Sequence, residues 1–183
     1  MKSLTKHIAE SLNSIGIYES FNNIGMYESL RLSIDDDPYQ YHPKTWDELR
    51  QIILDRYNEL GPGTAEVPID FNDIDVSKIT TFYDKHTGNG IFEGTDFKYI
   101  DVSEWNISKI NSLRFAFAYC SCLKELDISN WDISNIKESQ YMFYRCHELE
   151  RLLLPDFTKI KNINMIDMFN RCNPKSIPNW YIV

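Results

Sequence analysis

Alanine and valine are nearly missing from this chain of 183 residues: four of each stand beside 22 Ile and 15 Asn. That balance argues against an all-helical bundle and favours short strands joined by turns. No apolar run comes near the roughly 20 residues that span a bilayer, which argues against a transmembrane helix. Lys6, His7, Glu10, Asn13 and Glu19 interrupt the first twenty residues, so these lack the unbroken apolar core of a secretory signal. Basic charge is also scarce, with 19 Lys and Arg against 27 Asp and Glu, or −8 at neutral pH. A broad nucleic-acid-binding face needs the opposite sign. The expectation is a cytoplasmic protein with neither a membrane nor a nucleic acid as its direct partner.

The remaining composition is that of a folded chain, with 43% hydrophobic and 25% charged residues. The acidity is uneven. Residues 61–138 carry 7 basic and 13 acidic side chains, whereas residues 139–183 carry 6 and 4. A field of that kind steers a partner or simply solvates a surface.

What the chain does have is a repeat. Trp105 and Trp131 are 26 residues apart and open the segments Trp-Asn-Ile-Ser-Lys-Ile and Trp-Asp-Ile-Ser-Asn-Ile. The same step relates Phe117, Phe143 and Phe169, and again Cys120, Cys146 and Cys172. Ile100-Asp101-Val102-Ser103 is answered by Leu126-Asp127-Ile128-Ser129. A degraded copy lies upstream, where Ile69-Asp70 and Val76-Ser77-Lys78-Ile79 precede their counterparts by 31 residues. The five extra residues are expected in Thr87 to Lys98, around Gly88, Asn89, Gly90 and Gly94, with His86 standing where later copies have Phe.

Within a copy, Leu123, Leu126 and Ile128 alternate as the inward side of a short strand, and Glu125, Asp127 and Ser129 point outward. Asn130, Trp131 and Asp132 turn the chain, and the stretch through Tyr141, Met142 and Phe143 fits a short helix or helical turn. No such unit buries its apolar side alone, so copies must stack on one another, strand beside parallel strand.

Both ends of a stack need a cover. Thr45 with Glu48 three residues on is a capping box, and Trp46, Leu49, Ile52, Ile53, Tyr57 and Leu60 form one helical stripe ended by Gly61-Pro62-Gly63. At the other end Trp180-Tyr181-Ile182-Val183 is expected to fold over the last copy. The organisation is therefore an appendage at 1–40, a capping helix within 41–65 and a repeat region at 66–183. The appendage holds a duplication, Ile15-Gly16-Ile17-Tyr18-Glu19-Ser20 against Ile24-Gly25-Met26-Tyr27-Glu28-Ser29, after an amphipathic helix at Lys2 to Leu12.

Catalytic chemistry finds no foothold. Cys120-Ser121-Cys122 is not a zinc knuckle, and no Cys-x-x-Cys or spaced His completes a tetrahedral set. The three periodic cysteines are expected as buried, reduced thiols. His7, His42, His86 and His147 sit in unrelated contexts, and neither a Gly-x-Ser-x-Gly elbow nor a phosphate loop occurs. The reading is of a non-enzyme, without metal or cofactor.

The outward strand positions fall into columns: Asp70, Asp101, Asp127, Leu153; Asn72, Ser103, Ser129, Pro155; and Pro68, Tyr99, Glu125, Arg151. Carboxylates stacked at about 4.8 Å repel unless a cation, water or basic partner intervenes. Two readings stand side by side. The aspartates accept hydrogen bonds from turn amides as part of the repeat, or they form an acidic face for a basic protein. The second takes Asp70, Asn72, Tyr99, Asp101, Ser103, Glu125, Asp127, Ser129 and Arg151 as partner-binding residues.

Trp131-Asp132-Ile133-Ser134-Asn135-Ile136, Tyr141-Met142-Phe143-Tyr144-Arg145-Cys146 and Leu126-Asp127-Ile128-Ser129-Asn130 resemble the BspA-like leucine-rich-repeat family over residues 66–183. The resemblance implies an α/β fold, a right-handed solenoid with a parallel β-sheet on one face and short helices or turns on the other. Short members preceded by a capping helix resemble proteins encoded in phages and prophages of gut bacteria. The expected function is a non-enzymatic protein-interaction module that binds through the concave acidic sheet face. The alternative is a small phage-type inhibitor that occludes a host defence or nucleic-acid-processing enzyme by standing in for phosphate.

Overall fold

The computed structural model describes residues 37–181. From Tyr41 on, the described residues form one compact unit. The duplication and amphipathic helix read in residues 1–36 lie outside the described residues, as do Ile182 and Val183.

Helix α1, Trp46–Leu60, begins where the sequence places it: Thr45 Oγ1 accepts from the Glu48 amide at 3.2 Å. Glu48 returns its carboxylate to the Lys44 amide, at 2.6 Å, one residue short of a reciprocal box. The helix stops at Gly61, whose φ of 73° lets its N–H turn back to the Tyr57 carbonyl. Leu49 and Ile53 are buried, with Trp46, Ile52 and Tyr57 packed around them. Leu60, expected on that stripe, is 62% exposed.

The strands are short. Strand β1 is Ile69–Asp70, β2 Tyr83–Asp84, β3 Asn89–Gly90, β4 Ile100–Asp101, β5 Glu125–Asp127 and β6 Arg151–Leu153. They form three two-stranded sheets: β1 with β4 and β5 with β6 in parallel, and β2 with β3 as an antiparallel hairpin. Only an isolated bridge, Tyr99 to Glu125, links the two parallel pairs. The expected solenoid with its parallel sheet is therefore corrected: the described residues make a small mixed α/β fold with one α-helix and little regular secondary structure. The physical reason lies in the repeat itself. Strands β1, β4 and β5 each end on an aspartate whose carboxylate accepts from the amide two residues ahead, and a side chain that captures the amide ends the ladder.

Of the short helix or helical turn expected around Tyr141–Phe143, the chain forms turns and no helix. Phe115, Tyr141 and Asp167 have φ of 54°, 57° and 53°, and Tyr119, Arg145 and Arg171 have φ of 58°, 61° and 59°. Two left-handed residues per copy, at the 26-residue step, break any helical run.

The periodic positions do come together in the core. Phe92, Phe117, Phe143 and Phe169 form a stack with centroids 5.2, 5.6 and 5.4 Å apart. The member in the first copy is Phe92 and not His86, which is exposed on the β2–β3 hairpin. The hairpin is thus the insertion, earlier in the chain than expected. Up to Phe82 the offset is still 31, its amide donating to the Ser112 carbonyl, whereas at Phe92 it is already 25. Gly90 lets the hairpin close here, since a Cβ at this position would overlap the Phe115 carbonyl.

Candidate functional site

Three elements shape a groove of about 250 Å3 on the outward side of the parallel strands. Strands β4, β5 and β6 supply Asp101, Glu125, Asp127 and Arg151, with Tyr99 just before β4 and Ser103 just after it. The loop after α1 supplies the far wall, Ala65 and Pro68. That loop approaches because Gly63, at φ 77°, has no side chain; a Cβ there would sit 2.5 Å from the Tyr99 carbonyl oxygen. The Pro62 carbonyl then accepts from the Lys98 amide at 2.7 Å, and the Ile69 amide donates to Tyr99 at 3.0 Å.

Registers agree with two of the sequence columns. Asp70 pairs with Asp101, and Asp127 with Leu153; Tyr99 pairs with Glu125, and Glu125 with Arg151. Six of the nine sequence-derived residues line the groove: Tyr99, Asp101, Ser103, Glu125, Asp127 and Arg151. Asp70 and Ser129 are exposed but outside that lining, and Asn72 is turned inward. Asn72 is only 8% exposed, and its Oδ1 accepts from the Glu104 amide at 2.9 Å. Leu153 and Pro68 belong to the same columns and complete the lining; Leu153 is 39% exposed. The period already marked those two. Ala65 carries no such signal, because the loop's approach depends on Gly63 and a tertiary contact.

Every carboxylate in the aspartate column serves its own turn. Asp70 Oδ1 accepts from the Asn72 amide at 2.8 Å. Asp101 Oδ1 takes the Ser103 amide and hydroxyl at 3.0 and 2.7 Å, and Asp127 Oδ1 takes those of Ser129 at the same distances. Burial works against the charge on Asp101, but the Ser103 amide and hydroxyl and the Asn72 side chain outweigh it and hold the group below the ordinary carboxylate range. Asp101 therefore stays ionised at neutral pH. Across β5 and β6 the charge is partly met, with Arg151 Nη1 3.1 Å from Glu125 Oε2. Both ends of that pair are exposed, so its contribution is small.

The periodic cysteines lie inside. Cys120, Cys146 and Cys172 are buried and Cys122 is half-buried, all as free thiols. Cys120 Sγ donates to the Phe92 carbonyl at 3.1 Å and Cys146 Sγ to Phe117 at 3.0 Å, each one copy back. Burial pushes the Cys120 thiol up to about 12, so it is an inert proton carrier in this fold. Among the described residues no three His, Cys, Asp or Glu side chains converge as a metal set. Nor is any helix among them long and apolar enough to cross a membrane.

A small α/β fold of short paired strands, stacked by a 26-residue repeat around an aromatic and thiol interior, defines the class. The chain belongs to the family described as Mycoplasma protein of unknown function, DUF285, which it matches over residues 63–180. No curated protein and no solved structure matches the chain.

Proposed function

We propose that this protein is a non-enzymatic interaction module whose groove over β4, β5 and β6 receives a basic segment of a protein partner in the cytoplasm. The observation that carries the reading is the pairing of Asp70 with Asp101, continued to Asp127 by the register of the Tyr99–Glu125 bridge. Consecutive copies place like charges side by side, and each carboxylate spends one oxygen on its turn. Like charges at strand spacing favour a cation between them. Tyr99, Leu153 and Pro68 add apolar and aromatic walls, the composition of a protein-contact surface more than of a reaction centre. The resemblance of the repeats to the BspA-like family supports a binding role as well.

A second reading rests on the same acidic row. A phage-type inhibitor would offer these carboxylates to the phosphate channel of a host defence or nucleic-acid-processing enzyme. The two readings differ in the partner rather than in the surface.

Asparagine keeps the oxygen that each turn amide needs and removes only the charge. The triple variant Asp70→Asn, Asp101→Asn, Asp127→Asn therefore tests the surface without breaking the turns. In pull-downs at low and high salt, a partner held by the wild type should be lost by the variant and weakened by salt. A basic nuclease or other nucleic-acid enzyme as that partner would favour the inhibitor. Equal capture by both proteins would reject the acidic groove as the binding surface.

A further inference from the structure

A second cleft, of about 540 Å3, opens beside the β2–β3 hairpin and shares no lining residue with the groove above. Its walls include Trp46 of α1, Tyr83 and Lys85 of the hairpin, Ser112, Arg114 and Glu138. Arg114 is the centre of the chemistry. Its guanidinium carbon lies 4.8 Å from the Tyr83 ring centroid and 5.2 Å from that of Phe115. A cation–π contact engages the charge of the guanidinium and leaves its N–H donors to other partners.

Among the described residues no hydrogen bond holds the Arg114 guanidinium. The Arg114 Nε is buried without a hydrogen bond, an expensive state for a charged donor. Among the described residues, neither Arg114 nor Lys85 has a carboxylate oxygen within 4.0 Å. The two acids of the cleft are engaged elsewhere. Asp84 receives the His86 and Thr87 amides and the Thr87 hydroxyl, at 3.1, 3.0 and 2.7 Å. Glu138 Oε2 accepts from the Ser112 hydroxyl at 3.1 Å.

We propose that this cleft binds a carboxylate, gripped by the Nη1 and Nη2 groups of Arg114 with Lys85 as the second cation and Tyr83 and Trp46 as flat walls. Charge selects the carboxylate over a phosphate. Arg114 and Lys85 balance Asp84 and Glu138, so one further negative charge is tolerated beside two carboxylates and a second is repelled. Planarity selects it too, because the guanidinium fork matches two coplanar oxygens. The source is either an acidic side chain of a peptide or a free small carboxylic acid.

Calorimetric titration of the full chain with benzoate, with an acetyl- and amide-capped Gly-Glu-Gly peptide and with inorganic phosphate tests this. At least one carboxylate should bind, more tightly than phosphate. Binding of the peptide alone assigns a protein source, and binding of benzoate alone assigns a small acid. Arg114→Gln should weaken that binding by about tenfold or more, and Arg114→Lys should recover only part of it, since an ammonium has no fork. Because Arg114 also packs on two rings, Lys85→Glu on the exposed hairpin provides an independent variant and should weaken binding as well. The proposal is overturned if neither carboxylate binds, if phosphate binds more tightly, or if both Arg114→Gln and Lys85→Glu bind as the wild type does.

Discussion

Trp105 and Trp131 lie stacked with ring centroids 6.4 Å apart and planes inclined by only 5°, although 26 residues separate them. Each indole N–H reaches back into the preceding copy, Trp105 to the Phe71 carbonyl at 2.8 Å and Trp131 to the Val102 carbonyl at 3.0 Å. The pair thus ties three copies together by aromatic contact and by satisfaction of buried carbonyls. Trp131→Phe keeps a ring in the stack but removes one of two donors to the Val102 carbonyl, which retains the Trp105 amide at 3.2 Å, and a cost of about 1 kcal/mol is expected. Urea unfolding of wild type and variant measures it; an unchanged midpoint would remove the hydrogen bond from the account.

Gly90 and Gly88 lie on one hairpin and respond to different physics. A methyl group at Gly90 meets the Phe115 backbone, which cannot give way as a side chain would. Gly90→Ala is expected to cost about 3 kcal/mol. At Gly88 nothing lies within 4 Å, but φ is 81°, so Gly88→Ala meets only backbone strain, about 1 kcal/mol. Thermal unfolding of both variants should rank them in that order. The reverse order would show that the hairpin does not abut Phe115 in solution.

The Asp101 carboxylate links stability to acid. Its folded form ionises below the ordinary carboxylate range, so the stabilisation it supplies is fully present above the unfolded value, about pH 4. It is lost as pH falls through the lower, folded value. Asp101→Asn keeps the acceptor for Ser103 without the charge, so the wild type should melt higher at neutral pH and the gap should narrow below about pH 4. Melting curves from pH 7 to pH 3 decide this, and a constant gap would contradict it.

Thiol accessibility gives a direct reading of the interior. Cys120, Cys146 and Cys172 are buried, whereas Cys122 is half-buried near Asp96. With an aromatic disulfide reagent at about pH 8, near the ordinary thiol range, one thiol per native molecule should react promptly. Cys122→Ser should abolish that fast phase, and urea should release the other three thiols. Fast labelling of more than one thiol in the native protein would place the cysteine column at the surface.

Much of the packing was legible in the 26-residue period. It identified the Phe and Cys columns and the pairing of Tyr99 with Glu125; the 31-residue offset of the degraded copy marked Asp70 against Asp101, and the capping box at Thr45 marked the start of α1. Two readings failed for identifiable reasons. His86 occupies the expected Phe position by counting alone, but the hairpin absorbs the extra residues before Phe92 and restores the aromatic stack. The continuous sheet failed because the Asp side chains, read as surface columns, take up the Asn72, Ser103 and Ser129 amides that would have prolonged β1, β4 and β5. Asn72 was read as a contact residue, yet its amide oxygen is needed inside by Glu104.

The sequence by itself determined which residues recur and therefore which side chains meet, since a strict period leaves one register that buries every apolar column at once. It also specified the start and end of α1, because caps are local chemistry. Only the tertiary structure decided how far each strand runs, where the inserted residues fold and which polar groups face outward. Each of these depends on competition between a side chain and a distant backbone for the same hydrogen bond. Arg114 is the clearest case: its spacing marks nothing, and its character comes from Tyr83 and Phe115, brought to it by the fold.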